Sequence, residues 1–170
     1  MFTGKIKIKE TDETDLDNIL NLWNNGDVMC YVGFPNGLGY DKKKIQNWYK
    51  NIKQTKCFKH YSIYTEEFGY CGETGYGLDN INKGNVGLEI KLLPKAQGKG
   101  IAEYSLKYIL KIIIEDKIGK NVWVDPNKEN EKAINLYKKL GFRENVFPEY
   151  LSSEDDGKHI YMELIIGENE

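Results

Sequence analysis

The chain has 170 residues, 40% of them hydrophobic and 29% charged, with a formal charge of −2. That length is one domain's worth, and the composition is too apolar for a disordered chain. The slight acidity excludes nonspecific nucleic-acid binding, which needs a basic surface to displace counterions from phosphates. Cys30, Cys57 and Cys71 are an odd, scattered set without the spacing of a zinc site or disulfide framework, and read as reduced thiols. No signal-like apolar run opens the chain and no stretch approaches the roughly 20 apolar residues of a membrane span, so a cytoplasmic protein is expected.

Lysine alternates with isoleucine from Lys5 to Lys9, the period-2 pattern of a half-exposed strand. Asp12 and Thr14 can cap a helix carrying Leu16, Ile19, Leu20 and Trp23, ending near Asn25-Gly26. Residues 26–40 mix glycine, proline and aromatics and read as a loop. Asp41 then opens a second helix with Ile45, Trp48, Tyr49 and Ile52 on one face and the solvated lysines Lys42, Lys43 and Lys44 at its start. Strands are expected over 58–64, 68–74 and 86–93, joined by tight antiparallel connections. Leu106, Ile109, Leu110 and Ile113 mark a helix, 122–124 a short strand, and Ala133, Leu136, Tyr137 and Leu140 another helix stopped by Gly141. Strands at 142–147 and 158–165 close a domain over 1–166, followed by a frayed acidic tail over 167–170. The string β-α-α-β-β-β-α-β-α-β-β is an α+β protein without internal repeats.

Gln97-Gly98-Lys99-Gly100-Ile101-Ala102 lies where the third central strand meets its helix. Glycines at such a junction let backbone N–H groups approach an anion at the positive helix end. An ATPase phosphate loop is excluded because Gly100, not Ser or Thr, follows Lys99 and residue 93 is leucine. The dinucleotide fingerprint fails because its third glycine would fall at Glu103.

This segment resembles the Gln/Arg-x-x-Gly-x-Gly/Ala pyrophosphate loop of the GCN5-related N-acetyltransferase (GNAT) family. The run Asn130-Glu131-Lys132-Ala133-Ile134-Asn135-Leu136-Tyr137-Lys138-Lys139-Leu140-Gly141-Phe142 resembles that family's second block. Tyr70 to Tyr76 are similar to ribosomal-protein alanine acetyltransferases, and Gly87-Leu88-Glu89-Ile90 with Val124-Asp125-Pro126 to aminoglycoside 6'-acetyltransferases. The resemblance implies a mixed, mostly antiparallel seven-stranded sheet flanked by four helices. It also implies acetyl-coenzyme A as co-substrate and transfer of its acetyl group to a primary amine by direct attack on the thioester.

By resemblance, the backbone of Gln97, Gly98, Lys99, Gly100, Ile101 and Ala102 holds the pyrophosphate. The backbone of Leu92 and Leu93 pairs with the pantetheine arm and polarises the thioester carbonyl, and Asn130 bonds the arm. Tyr137 takes the place of the general acid for the departing thiolate, although it stands on an apolar helix face where an aromatic is usually core. Asn130 equally suits a helix N-cap. Glu89, inside an otherwise apolar strand, fits a general base or, with Lys91, a wet sheet face. Glu73 is a second carboxylate, a candidate for binding a cationic acceptor. His60 and His159 have no evident partner and read as structural, and no metal is implied. A protein N-terminus, an aminoglycoside, a polyamine or another small amine all suit as acceptor, and a monomer or homodimer as the assembly. A coenzyme A-binding module without turnover is the alternative function.

Overall fold

The computed structural model describes residues 4–79, 84–154 and 156–166. The expected connection at 80–83 and the tail at 167–170 lie outside them. Seven strands form one sheet: β1 (Ile6–Glu10), β2 (Phe58–Thr65), β3 (Gly69–Leu78), β4 (Asn85–Leu92), β5 (Asn121–Val124), β6 (Arg143–Asn145) and β7 (Tyr161–Ile165). Their order across the sheet is β1-β2-β3-β4-β5-β7-β6. Every pairing is antiparallel except β4 with β5. The expected α+β architecture is therefore present.

The helices are α1 (Leu16–Trp23), α2 (Gly26–Met29), α3 (Lys42–Gln54), α4 (Ile101–Glu115) and α5 (Glu131–Lys139). Helix α2 is one turn inside the segment that reads as a loop. Four residues are too few to show an apolar period, so only the cap signals it: Asn25 Oδ1 accepts from Asp27 N. The rest of that segment is strapped to the end of α1, where Leu38 N donates to Trp23 O and the Asn24 side chain brackets the Tyr40 backbone.

The sheet buries both faces. On one, Leu106, Ile109 and Ile113 of α4 are fully buried against Val86, Val122 and Met162, with α5 alongside. On the other, α1 and α3 bring Ile19, Leu22, Trp23 and Ile45 together. Each such side chain stabilises by about 1.5 to 3 kcal/mol, which is why the two periodic stripes dictate where these helices dock. Lys42, Lys43 and Lys44 remain solvated, as their pattern predicts. Asp41 caps α3 through Lys44 N.

Only three rungs join β4 to β5: Asn85 with Asn121, Val86 with Val122 and Gly87 with Trp123. Beyond Gly87, strand β4 runs on to Leu92 without a β5 partner. The sheet thus parts into a four-stranded and a three-stranded half, with a V-shaped opening between them.

Candidate active site

The opening is framed on one side by the end of β4 and the start of α4. Gly98 and Gly100 hold φ of +71° and +82°, and a Cβ at either would meet nothing within 4 Å. Gly100 is the N-cap of the 15-residue α4 and makes no side-chain cap bond. The first N–H groups of a helix have no intrahelical acceptor and carry about half a positive charge, so an uncapped end beside open space suits an anion. Lys99 Nζ lies 5.2 Å from the Phe68 ring centre, placing a cation beside the turn. This arrangement fits a pyrophosphate.

At the strand end the two leucines differ. Leu93 donates its N–H to Cys71 O at 2.8 Å and its carbonyl accepts from Ala96 N at 2.9 Å. Both its backbone groups are engaged within the fold. Leu92 O accepts from the Gln97 side-chain amide at 3.0 Å, which ties the strand end to the glycine turn. Backbone groups alternate sides along a strand, so the Leu92 N–H faces the opening. Ile101 is fully buried beneath the turn, and Ala102 packs beside it.

On the far side, Asn130 caps α5, its Oδ1 accepting from Ala133 N at 3.2 Å. About two helical turns past this cap, Tyr137 is 7% exposed and packs on Phe142. Burial raises its phenol pKa well above 10, the charges of Asp125 and Glu89 add to the rise, and the Lys91 ammonium opposes it. These charges converge on the tyrosine from both lips of the opening.

Glu89 and Lys91 extend from the same face of β4, opposite Gly75 and Glu73 on β3. Lys91 Nζ bridges two carboxylates, Glu89 Oε2 at 3.0 Å and Glu73 Oε1 at 3.1 Å. The Glu89 side chain is 40% exposed, whereas Glu73 is fully buried. Trp23 Nε1 donates to Glu73 Oε1 at 2.7 Å, and His60 Nε2 stands 3.2 Å from its other oxygen. Burial alone would raise the Glu73 pKa, but the Lys91 ammonium foremost, with His60 beside it and the hydrogen bond from Trp23, holds it below the ordinary 4.5. Burial likewise opposes the Lys91 charge, and the two carboxylates raise its pKa above the ordinary 10.5.

Among the described residues, His60, Glu73 and Glu89 bring possible metal-ligand atoms within 4.8 Å of one another. The Lys91 ammonium already serves two of the three as their cation.

His60 also shares a 2.7 Å hydrogen bond with Thr11 Oγ1 and an edge-on contact with Trp48. His159 lies 2.9 Å from Asp156 Oδ1. The expectation that neither histidine has a partner is thus overturned. Thr11 and Asp156 are remote from, or only loosely spaced against, their histidines in sequence, so no motif announces either pair. Sequence reasoning also passed over Lys91 as the hub, because a lysine on an alternating strand reads as a wet-face residue. The tertiary fold instead gives it Glu73 as a buried partner, with Trp23 of α1 bonded to the same carboxylate.

Comparison with known proteins identifies the family and the fold. Residues 5–143 match the family model described as acetyltransferase (GNAT) domain. The chain therefore belongs to the GNAT family of acetyltransferases, whose co-substrate is acetyl-coenzyme A. Its fold is that of a spermidine N-acetyltransferase from Vibrio cholerae solved with CoA and spermine, at TM-score 0.78 and 20% identity over 95% of each chain. It is similarly close to RimL, a ribosomal L7/L12 α-N-protein acetyltransferase solved with coenzyme A (TM-score 0.78, 16% identity, 97% of this chain and 96% of that one). The aminoglycoside acetyltransferase AAC(6')-Ib with coenzyme A superposes at TM-score 0.75, with 16% identity over 95% of each chain. No curated protein sequence is significantly similar to this one. Among the described residues, no helix is long and apolar enough to cross a membrane.

Proposed function

We propose that this protein transfers the acetyl group of acetyl-coenzyme A to a primary amine by direct attack on the thioester. The observation that carries this reading is the parting of β4 from β5 beside an uncapped, glycine-framed helix N-terminus. The backbone from Gln97 to Ala102 receives the pyrophosphate, and the Leu92 N–H is the donor for the thioester oxygen as it gains negative charge. The Asn130 amide group, whose oxygen is spent on the cap, offers its N–H to the pantetheine arm.

Glu89 takes a proton from the incoming ammonium, directly or through water, so that the nitrogen lone pair is free. The C–N bond then forms, the C–S bond breaks, and Tyr137 donates its phenolic proton to the departing sulfur; the phenolate regains a proton from the new amide nitrogen, and Glu89 returns its proton to water. A phenol above pKa 10 is a weak acid toward a thiolate of about 8.5, so position must supply part of the effect. The Lys91 ammonium supplies another part, because it is the group that stabilises the phenolate. Fully buried Glu73 contributes by holding Lys91 in place.

The test is thiol release from acetyl-coenzyme A with a panel of amines, for the wild type and Tyr137→Phe side by side. Release with the wild type that falls about 100-fold in the variant, with coenzyme binding retained, is the expected result. Thermal stabilisation by coenzyme A without release from any amine would give the protein to the binding-module reading instead.

A further inference from the structure

His60 lies on β2, almost wholly buried, with Trp48 of α3 set edge-on against its ring, and takes no part in the transfer as described above. Its Nδ1 is 2.7 Å from Thr11 Oγ1, which is in turn 2.9 Å from Ser62 Oγ. Its Nε2 stands 3.2 Å from Glu73 Oε2. Among the described residues, neither Nε2 nor that oxygen has another hydrogen-bond partner, and the fully buried Ser62 hydroxyl has Thr11 alone. The other charged groups near the ring answer one another, Lys53 and Lys59 standing 3.2 and 3.6 Å from Glu10.

These atoms admit one arrangement in which every hydrogen has an acceptor. Ser62 donates to Thr11, Thr11 donates to Nδ1, and an Nε2–H faces the Glu73 carboxylate. The other tautomer reverses the two hydroxyl bonds, which strands the Ser62 hydrogen and sets an Nε2 lone pair against a carboxylate oxygen. A doubly protonated ring strands the same hydrogen, and an orphaned buried donor is costly. The two hydroxyls thus hold the imidazole as a neutral donor, and Glu73 receives from it an N–H rather than a second full cation.

We infer that His60 is a positioning residue for Lys91 and, through it, for Glu89: its Nε2–H satisfies one oxygen of Glu73, so that Lys91 stays divided between the two carboxylates. Lys91 Nζ reaches the other Glu73 oxygen at 3.1 Å and Glu89 Oε2 at 3.0 Å. The titratable groups around Glu89 are Lys91, Tyr137, and Asp79, Asp125 and Tyr150, which line the same cavity; Lys91 is the one hydrogen-bonded to it. An ammonium held closer to a carboxylate lowers its proton affinity, and one drawn away raises it. The share of Lys91 therefore sets the strength of Glu89 as a base, and His60 sets the share. The inference rests on the acetyl-transfer reading only for Glu89 acting as that base.

Two variants should then move Glu89 in opposite directions. In His60→Leu the unanswered Glu73 oxygen draws Lys91 away, and the pH midpoint of the Glu89 carboxylate, followed by carbon-13 NMR on the full chain, should rise by about half a unit or more. In Glu73→Gln the ammonium turns to Glu89, and the midpoint should fall by a similar amount. His60→Gln, whose amide N–H can stand where Nε2–H stands, should restore the wild-type value. Nitrogen-15 spectra of the wild-type imidazole at neutral pH should show the Nε2–H tautomer, and Thr11→Val should lose it. Should His60→Leu misfold, the wild-type tautomer and Thr11→Val still decide. An Nδ1–H or doubly protonated ring in the wild type would overturn the inference, as would a folded Thr11→Val that keeps the tautomer. So would a Glu89 midpoint that moves the same way, or not at all, in folded His60→Leu and Glu73→Gln, which is what a merely structural histidine gives. The acid limb of kcat/KM should follow the carboxylate. A limb that stays in place while the carboxylate moves, or no thiol release at all, would uphold the positioning of Lys91 while counting against Glu89 as the base of an acetyl transfer.

Discussion

Lys91 links three carboxyl and phenol groups that sequence order keeps apart, and its removal should be felt first as lost stability. Lys91→Met leaves Glu73 charged, fully buried and facing only His60 and Trp23, which should cost about 3 to 5 kcal/mol in urea unfolding. Combining it with Glu73→Gln should recover part of that loss, because the uncompensated charge goes with it. The pH dependence follows in sign. Glu73 has a folded pKa below its ordinary 4.5, so its contribution is present above pH 4.5 and is lost as pH falls below that value. Lys91 has a folded pKa above its ordinary 10.5, so its contribution is present below pH 10.5 and is lost as pH rises beyond it. The stability difference between wild type and Glu73→Gln should accordingly be greatest near neutral pH and shrink in acid. A difference that stays constant down to pH 3 would mean that the pair does not carry it.

At the scale of elements, the turn from β4 into α4 joins a strand end to a helix end with both left open. Gly98 and Gly100 adopt left-handed φ without crowding, so alanine there is opposed by backbone conformation alone, at about 1 to 2 kcal/mol each. Gly98→Ala should lower the melting temperature by about 2 to 4 °C per kcal/mol lost. Its effect on coenzyme A should be larger, a rise of about tenfold in Kd by calorimetry, because relaxing the strain turns the N–H groups away from the pyrophosphate. An unchanged Kd would place the pyrophosphate elsewhere. Leu92 differs from Leu93 for an equally local reason: successive residues of a strand point their N–H groups to opposite sides, and Cys71 has already taken one of them.

For the molecule as a whole, two antiparallel half-sheets share only three parallel rungs, while the α4 core spans both halves on one face and the α1 and α3 core backs the four-stranded half on the other. Saturating coenzyme A should bridge the halves, so amide exchange should slow at Leu92 and over the first turn of α4 while the paired interior of β2 and β3 stays as it was. Uniform slowing everywhere would indicate global stabilisation rather than occupancy of the V. The order of strands and longer helices was legible in the sequence, because apolar periods of 2 and 3.6, caps such as Asp41 and Asn130, and the glycine turn are local properties of neighbouring residues. The family was legible for the same reason, its two motifs being contiguous. Helix α2 escaped because one turn has no period. Only the tertiary structure decided that Glu73 is sealed under Trp23, that His60 meets Thr11 and Glu73, and that Asp79, Glu89 and Asp125 line one cleft. Those relations are set by strand register and helix docking, which bring together side chains up to about fifty residues apart and which no local spacing encodes.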